Sequence, residues 1–281
     1  MGPGCPDRAA GAGRAANAAG GGNRVQPDAA WPAREGPGRS RRGKVIAPQE
    51  PYLIWAGGEN TRVLIDGLLD SGVRPPEAVL DDSPLTWGSD IFGVPIAGGE
   101  ALIPSFLARG VRHFLMGLGG VADNRPRKAL FERALAQGLT PARFVHPRAH
   151  VSARANLAPG AQVMPMAVVQ TGARIETNAL INTGAIVEHD CIIGPHVHVA
   201  TGARLAGAVR VGAGAHLGAG AVVKQGLAIG AFALVGAGAV VVGPVPDGAL
   251  ALGVPARCRP RDQGADRSAA PGRCAPPRNG L

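Results

Sequence analysis

The sequence predicts two folded parts in series: a small Rossmann-like α/β unit, then an all-β left-handed parallel β-helix. Three observations carry this. Every sixth residue from Val145 to Val241 is Val, Ile or Leu, without a slip. Between 51 and 143, short apolar runs alternate with helical patterns, the order that parallel βαβ units produce. The two ends, 1–50 and 259–281, are rich in Gly, Ala, Arg and Pro and poor in aliphatic side chains. They lack the apolar surface that offsets ordering entropy and are predicted disordered.

In the α/β unit, 51–143, PYLIWAGG reads as a first strand ending in a glycine turn. NTRVLIDGLLDSG follows as a helix with Val63, Leu64, Gly67 and Leu68 on one face. PEAVLDD is a second strand, EALIPSFLARG a helix interrupted by Pro104, VRHFLMGLGG a third strand, and RPRKALFERALAQG an amphipathic helix. Ligands of such sheets lie at the carboxyl ends of the strands. That marks Gly57, Gly58 and Glu59, then Asp81 and Asp82, and the stretch from Gly119 to Asn124.

The six-residue period fills 144–258. A hexad of short strand plus turn forms one side of a triangular prism, so three hexads complete a coil of eighteen residues. The aliphatic residue points inward, and a small residue four places later, Ala149 through Ala185 and then Cys191, Val197 and Ala203, allows a tight corner. Cys191 thus reads as a compact core residue rather than a reactive thiol.

Charge and cysteine usage exclude several functions. The net charge of +9 sits mainly on the ends, +4 over 1–50 and +3 over 259–281, leaving +2 for 51–258. A nucleic-acid groove would need that charge on the folded part, so no nucleic-acid partner is expected. Four cysteines without paired spacing indicate reduced thiols, not a disulfide framework or zinc site. No stretch approaches the ~18 apolar residues of a membrane span, and a cytoplasmic location is expected.

An α/β unit feeding HPRAHVS, an unbroken hexad array, INTGAIVEHDCIIG, HVHVATGARLAG and a closing LGVPARC resembles the NeuD/PglD-like bacterial sugar acetyltransferases over about 52–258. The resemblance implies a homotrimer that uses acetyl-CoA as co-substrate and acetylates a sugar or sugar nucleotide. It implies His189 as general base, Asp190 as its orienting partner and Asn182 as a substrate contact. It places His198 near the acetyl-CoA end of the cleft and the pantetheine arm along Gly202, Gly218, Gly220 and Gly236, with Pro255 closing that site. The first turn departs from the family, because WAGGENTRV carries Glu59 where a histidine is usual.

The chemistry of these residues agrees with that. Transfer from a thioester needs a base titrating near working pH, which imidazole supplies, and a carboxylate next to it can orient the ring. Glu188 competes with Asp190 for that role, but neighbouring strand residues diverge. His216 stacks one coil above His198 and is expected in a trimer-facing or exposed ladder, His196 at the surface. Histidine separations of 7, 2 and 18 residues do not suggest a zinc tetrahedron, so no metal is expected. O-acetylation of a sialic-acid-type sugar, a metal-binding β-helix and a non-catalytic β-helix are the alternatives.

Overall fold

The computed structural model describes residues 50–261. The expected disordered ends, 1–50 and 259–281, lie outside the described residues except for Glu50 and 259–261.

β1 (Tyr52–Trp55) is a continuous apolar run buried on both faces, as a central parallel strand must be. It feeds α1 (Glu59–Asp70). Then come β2 (Ala78–Leu80), β3 (Asp90–Ile91), β4 (Val94–Gly98), α2 (Ile103–Ala108), β5 (His113–Met116), α3 (Arg125–Ala136) and β6 (Thr140–Pro141). The sheet order is β3-β4-β2-β1-β5-β6, parallel throughout except for the β3–β4 pair. The chain adds strands on one side of β1 and then crosses to the other, so the order reverses between β1 and β5. That reversal is where open α/β sheets offer a crevice.

Three details differ from the sequence reading. Val63 is 41% exposed, and Ile65 takes the buried place on α1 instead. Pro104 stands in the first turn of α2 and starts the helix rather than breaking it, since its missing N–H is unneeded there. β3, β4 and β6 were not anticipated, although the buried-exposed alternation of VPIAG has strand period.

From Phe144–Val145 to Val240–Val241, two-residue strands pair in parallel with the strand eighteen residues on, as Gln162 with Leu180 and Val163 with Ile181. They form three sheets, one per prism side. The inward Val, Ile and Leu residues and the small residues form one apolar column, including Cys191 at 0% exposure. Burial pushes the Cys191 thiol up to about 11, so it stays protonated and unreactive.

The corners are made one residue earlier than expected. From Gly160 to Gly238 every sixth residue has positive φ, and Met166, Asn178, Asp190, His196, Ala208 and Phe232 adopt it without being glycine. The small residue that follows is the one that enters the column. The register slips after Val241, where Val245 bridges Ile229. Leu250–Leu252 resumes the first sheet and pairs antiparallel with Arg257–Arg259, one residue past the expected boundary.

Stacking explains the glycines inside the coils. A Cβ on Gly218 would lie 2.5 Å from the backbone nitrogen of Ala237 in the next coil, a contact only a backbone shift relieves. Gly218→Ala is therefore expected to destabilise by about 1–3 kcal/mol, the usual overpacking cost, read as a lowered Tm. An unchanged Tm would contradict the packing described.

The α/β unit covers the outer face of the first β-helix sheet. Phe144, Met164 and Leu180 share a buried cluster with Ile54, Leu64 and Leu115, and Gln162, His198 and His216 are buried on the same face. Among the described residues no helix is long and apolar enough to cross a membrane.

Candidate active site

His189 and Asp190 occupy the corner between the strands Ile186–Val187 and Ile192–Ile193. Asp190 makes the turn with φ 59°, a conformation short carboxylates tolerate better than most side chains. The turn throws its side chain back to the preceding residue, so His189 Nδ1 and Asp190 Oδ2 lie 2.9 Å apart. A carboxylate only accepts, so the ring donates Nδ1–H, which in the neutral tautomer leaves the lone pair on Nε2. Glu188 instead accepts from the His189 backbone N–H at 3.3 Å. The His189 side chain is 49% exposed, and the rim of its ring that carries Nε2 lies over Gly207 in the next coil. The pair is thus an imidazole oriented by its neighbouring carboxylate on a half-exposed corner.

A second cluster lies at the neighbouring corner and the face beyond it. His198 is 5% exposed, and both its nitrogens are engaged. Nδ1–H donates to the Gly120 carbonyl at 2.7 Å, and Nε2 accepts from Asn182 Nδ2 at 3.1 Å. Asn182 Oδ1 in turn accepts from the Thr183 N–H at 2.7 Å. Burial pushes His198 down to about 3, so it is neutral. His216 stacks edge-on to it, ring centroids 4.9 Å apart. It is buried and pushed down to about 4 by desolvation and then by Arg261, so of the trimer-facing or exposed ladder that the sequence suggested, the exposed place is excluded. Asn124 of the α/β unit docks beside it, donating to the Gly214 and Ala215 carbonyls. His196 is half-buried, edge-on to Phe131, with Asn178 Nδ2 donating to its Nδ1 at 2.9 Å.

These depressed values set an acid sensitivity. Below the unfolded imidazole value of ~6.5 the unfolded chain binds protons that His198 and His216 refuse, so stability falls as pH drops toward 4, by up to about 1.4 kcal/mol per pH unit per group. Thermal melts from pH 7 to 4.5 are expected to show this, with a shallower loss in His216→Asn; parallel curves would contradict it.

Gly57 donates its N–H to Asp81 Oδ2 at 2.5 Å, and Asp81 Oδ1 accepts from Ser83 N at 2.8 Å. Oδ2 thus ties the two loops together, while Oδ1 caps the turn of Asp81's own loop. Gly58 and Glu59 are exposed at the start of α1. Asp82 is exposed and paired with Arg133 at 2.9 Å. Asn60 Nδ2 donates to Gly117 O at 3.0 Å across the sheet reversal, a contact the sequence reading did not assign.

The four groove glycines divide. Gly202 and Gly220 stand at a corner with φ of 68° and nothing within 4 Å of a Cβ position, leaving backbone open to a ligand. Gly218 and Gly236 are small because Ala237 and Leu252 of the next coil lie on them. Pro255 is exposed in the closing hairpin. Among the described residues no group of three or more His, Cys, Asp or Glu could hold a metal ion. No hydrogen bond among the described residues joins the His189 pair to the His198 cluster or to the crevice; within one chain they occupy separate corners.

No protein-family model matches the chain, and no curated protein sequence matches it. Solved structures do. PerB from Caulobacter crescentus, determined with CoA and GDP-perosamine, is 36% identical; the match covers 75% of this chain and 97% of PerB with a TM-score of 0.69. The chain belongs to the hexapeptide-repeat sugar N-acetyltransferases related to NeuD and PglD. It is accordingly an acyltransferase. The acetyltransferase domain of PglB from Neisseria gonorrhoeae FA1090, determined with acetyl coenzyme A, is 31% identical over 75% of this chain and 100% of that domain, TM-score 0.68. WeeI from Acinetobacter baumannii AYE shares the fold, with 23% identity over 74% and 99% of the two chains and a TM-score of 0.64. Variants of the Caulobacter enzyme with one histidine changed to asparagine or alanine were also determined with both CoA and GDP-perosamine.

Proposed function

We propose that this chain is an acetyl-CoA-dependent N-acetyltransferase of a nucleotide-activated amino sugar, working as a cytoplasmic homotrimer with His189 as general base. The observation that carries the proposal is the His189–Asp190 pair, 2.9 Å apart on an open corner, in a chain similar to an enzyme solved with CoA and GDP-perosamine. That histidine variants of that relative still hold both ligands supports a histidine whose work is chemistry rather than binding.

The reaction is direct. The sugar amine attacks the thioester carbonyl carbon, the C–N bond forms, and its proton passes to His189 Nε2. Asp190 stabilises the imidazolium through Nδ1–H. The C–S bond breaks, and the imidazolium returns the proton to the departing thiolate, giving CoA thiol and amide. A backbone N–H holds the oxyanion.

The α/β unit, as a Rossmann-like module spanning 51–143, holds the nucleotide sugar in the crevice of Gly57, Gly58, Glu59 and Asp81, with Asp82 at its edge. Asn182, tied to His198, presents the substrate side of the cleft. Acetyl-CoA runs along Gly202 and Gly220, with Pro255 beyond. His198 serves as a strut behind this surface, since neither nitrogen is free.

The face between the two corners supports the trimer. Its outward residues Val168, Ile186, Val222 and Val240 are half-buried and apolar around Arg204. Burying this stripe against a second copy sets the His189 corner of one subunit beside the Asn182 and Gly220 corner of the next.

The test is a panel of GDP-, UDP-, CMP- and dTDP-linked amino sugars with acetyl-CoA, reading thiol release and the NMR spectrum of the product. An amide on one nucleotide sugar is expected. An ester product would move the reading to O-acetylation, and no turnover with any of them would overturn it.

A further inference from the structure

Arg127 is the least exposed cation of the described chain, at 0%, and it has no carboxylate partner. Burial alone pushes its guanidinium down to about 9, so it remains protonated at neutral pH. A buried cation without a counter-ion is costly unless every donor is used well. Each nitrogen of the fork here reaches an oxygen. Nε donates to Asn178 O at 3.2 Å in the β-helix, Nη2 to Gln162 Oε1 at 2.9 Å, and Nη1 to Leu118 O in the loop after β5. Gln162 completes the lock by donating Nε2 to Met116 O at 3.0 Å.

The same loop is held twice more. Asn60 takes the Gly117 carbonyl, and His198 takes the Gly120 carbonyl. Carbonyls at 116, 117, 118 and 120 are thus all drawn toward side chains, two from the β-helix and two from the α/β unit. Carbonyl and following N–H are antiparallel in a trans peptide, so the N–H groups of Leu118, Gly119 and Val121 turn the other way. Among the described residues the N–H groups of Leu118 and Gly119 have no hydrogen-bond partner, while Val121 bridges to Asp123.

We infer that Arg127 is a positioning residue that clamps the 116–120 loop to the β-helix and so aims its peptide N–H groups into the crevice. The consequence for catalysis rests on the proposed function above, in which that crevice holds the nucleotide sugar. There the N–H groups would meet its anionic diphosphate. Lysine cannot replace the clamp, since a point charge does not span three acceptors as a planar fork does.

The test uses the full-length protein with Arg127→Lys, and Gln162→Leu as a second variant that keeps the guanidinium but removes its partner. Amide hydrogen exchange of the free protein is read at Gly117, whose N–H donates to Trp55 O at 2.8 Å, and in the β-helix coils. Exchange at Gly117 is expected to accelerate at least about tenfold in a variant whose coils keep wild-type protection. In kinetics, KM for the nucleotide sugar is expected to rise about tenfold or more, with kcat and KM for acetyl-CoA within about twofold of wild type. Unchanged exchange at Gly117 in a folded variant would overturn the clamp. Faster exchange with unchanged KM, while the wild-type enzyme turns over, would overturn its role in substrate binding. A wild-type protein without turnover would count against the proposed function alone, and the exchange result would still decide the clamp.

Discussion

His189→Ala is expected to lower kcat at least ~100-fold, the lower end of what a positioned general base contributes, with KM for acetyl-CoA little changed. The reasoning is local. Nδ1–H is committed to Asp190, so Nε2 is the atom left to take the amine proton. The ring is exposed at a corner and supports no core contact, so its loss should leave Tm within a degree or two of wild type. Asp190→Asn is expected to cost less, because the imidazole remains but loses the anion that stabilises its charged form. The checks are steady-state kinetics and a thermal melt on the same preparations. Near-normal turnover by a folded His189→Ala protein would remove the histidine from the mechanism.

Gly207→Ala is expected to lower kcat about 10- to 100-fold without touching an ionisable group. A methyl on Gly207 would occupy the space of the His189 ring edge, where Nε2, Cε1 and Cδ2 lie. Gly207 does not have a left-handed φ, so its backbone accepts alanine and the coil should survive. The imidazole must swing away, and a displacement of about 1 Å at a reacting group is enough for ~100-fold. The effect should vanish in a His189→Ala background, since both changes act through one ring. A double mutant slower than His189→Ala by the full single-mutant factor would show that Gly207 acts elsewhere.

How much of this could be read from the sequence depended on whether one residue or several coils carried the signal. The β-helix was legible because its inward residues recur every six places for the whole array, and the column confirms each one. His189 and Asp190 were legible because adjacent polar residues interrupt that pattern at a corner. Which residue makes the corner was not: sequence draws attention to the small residue, while the left-handed φ belongs to the one before it, and Asp190, His196 and Phe232 adopt it without glycine. Burial of His216 was hidden too, because the covering surface comes from a separate part of the chain. Arg127 is the extreme case. Within α3 it looks like one more basic residue of an amphipathic helix, and only the docking of the α/β unit onto Gln162 and Asn178 makes it a buried clamp. Likewise, four similar corner glycines divide into open and packed ones only when the next coil is in place.

The account stands most directly on a site shared between subunits, and mixed assembly measures that. His189→Ala lacks the base, and Gly220→Trp obstructs the open corner on which acetyl-CoA is proposed to lie. Each is expected to be nearly inactive alone. If subunits from the two are dissociated, mixed in equal amounts and reassembled, a site needs His189 from one chain and Gly220 from its neighbour. In a closed ring of three, random assembly makes about one site in four intact. Recovery of about a quarter of wild-type activity in the mixture is the predicted result. A mixture no more active than its two components, with mixed trimers verified by mass, would place the whole site within one chain and contradict the account.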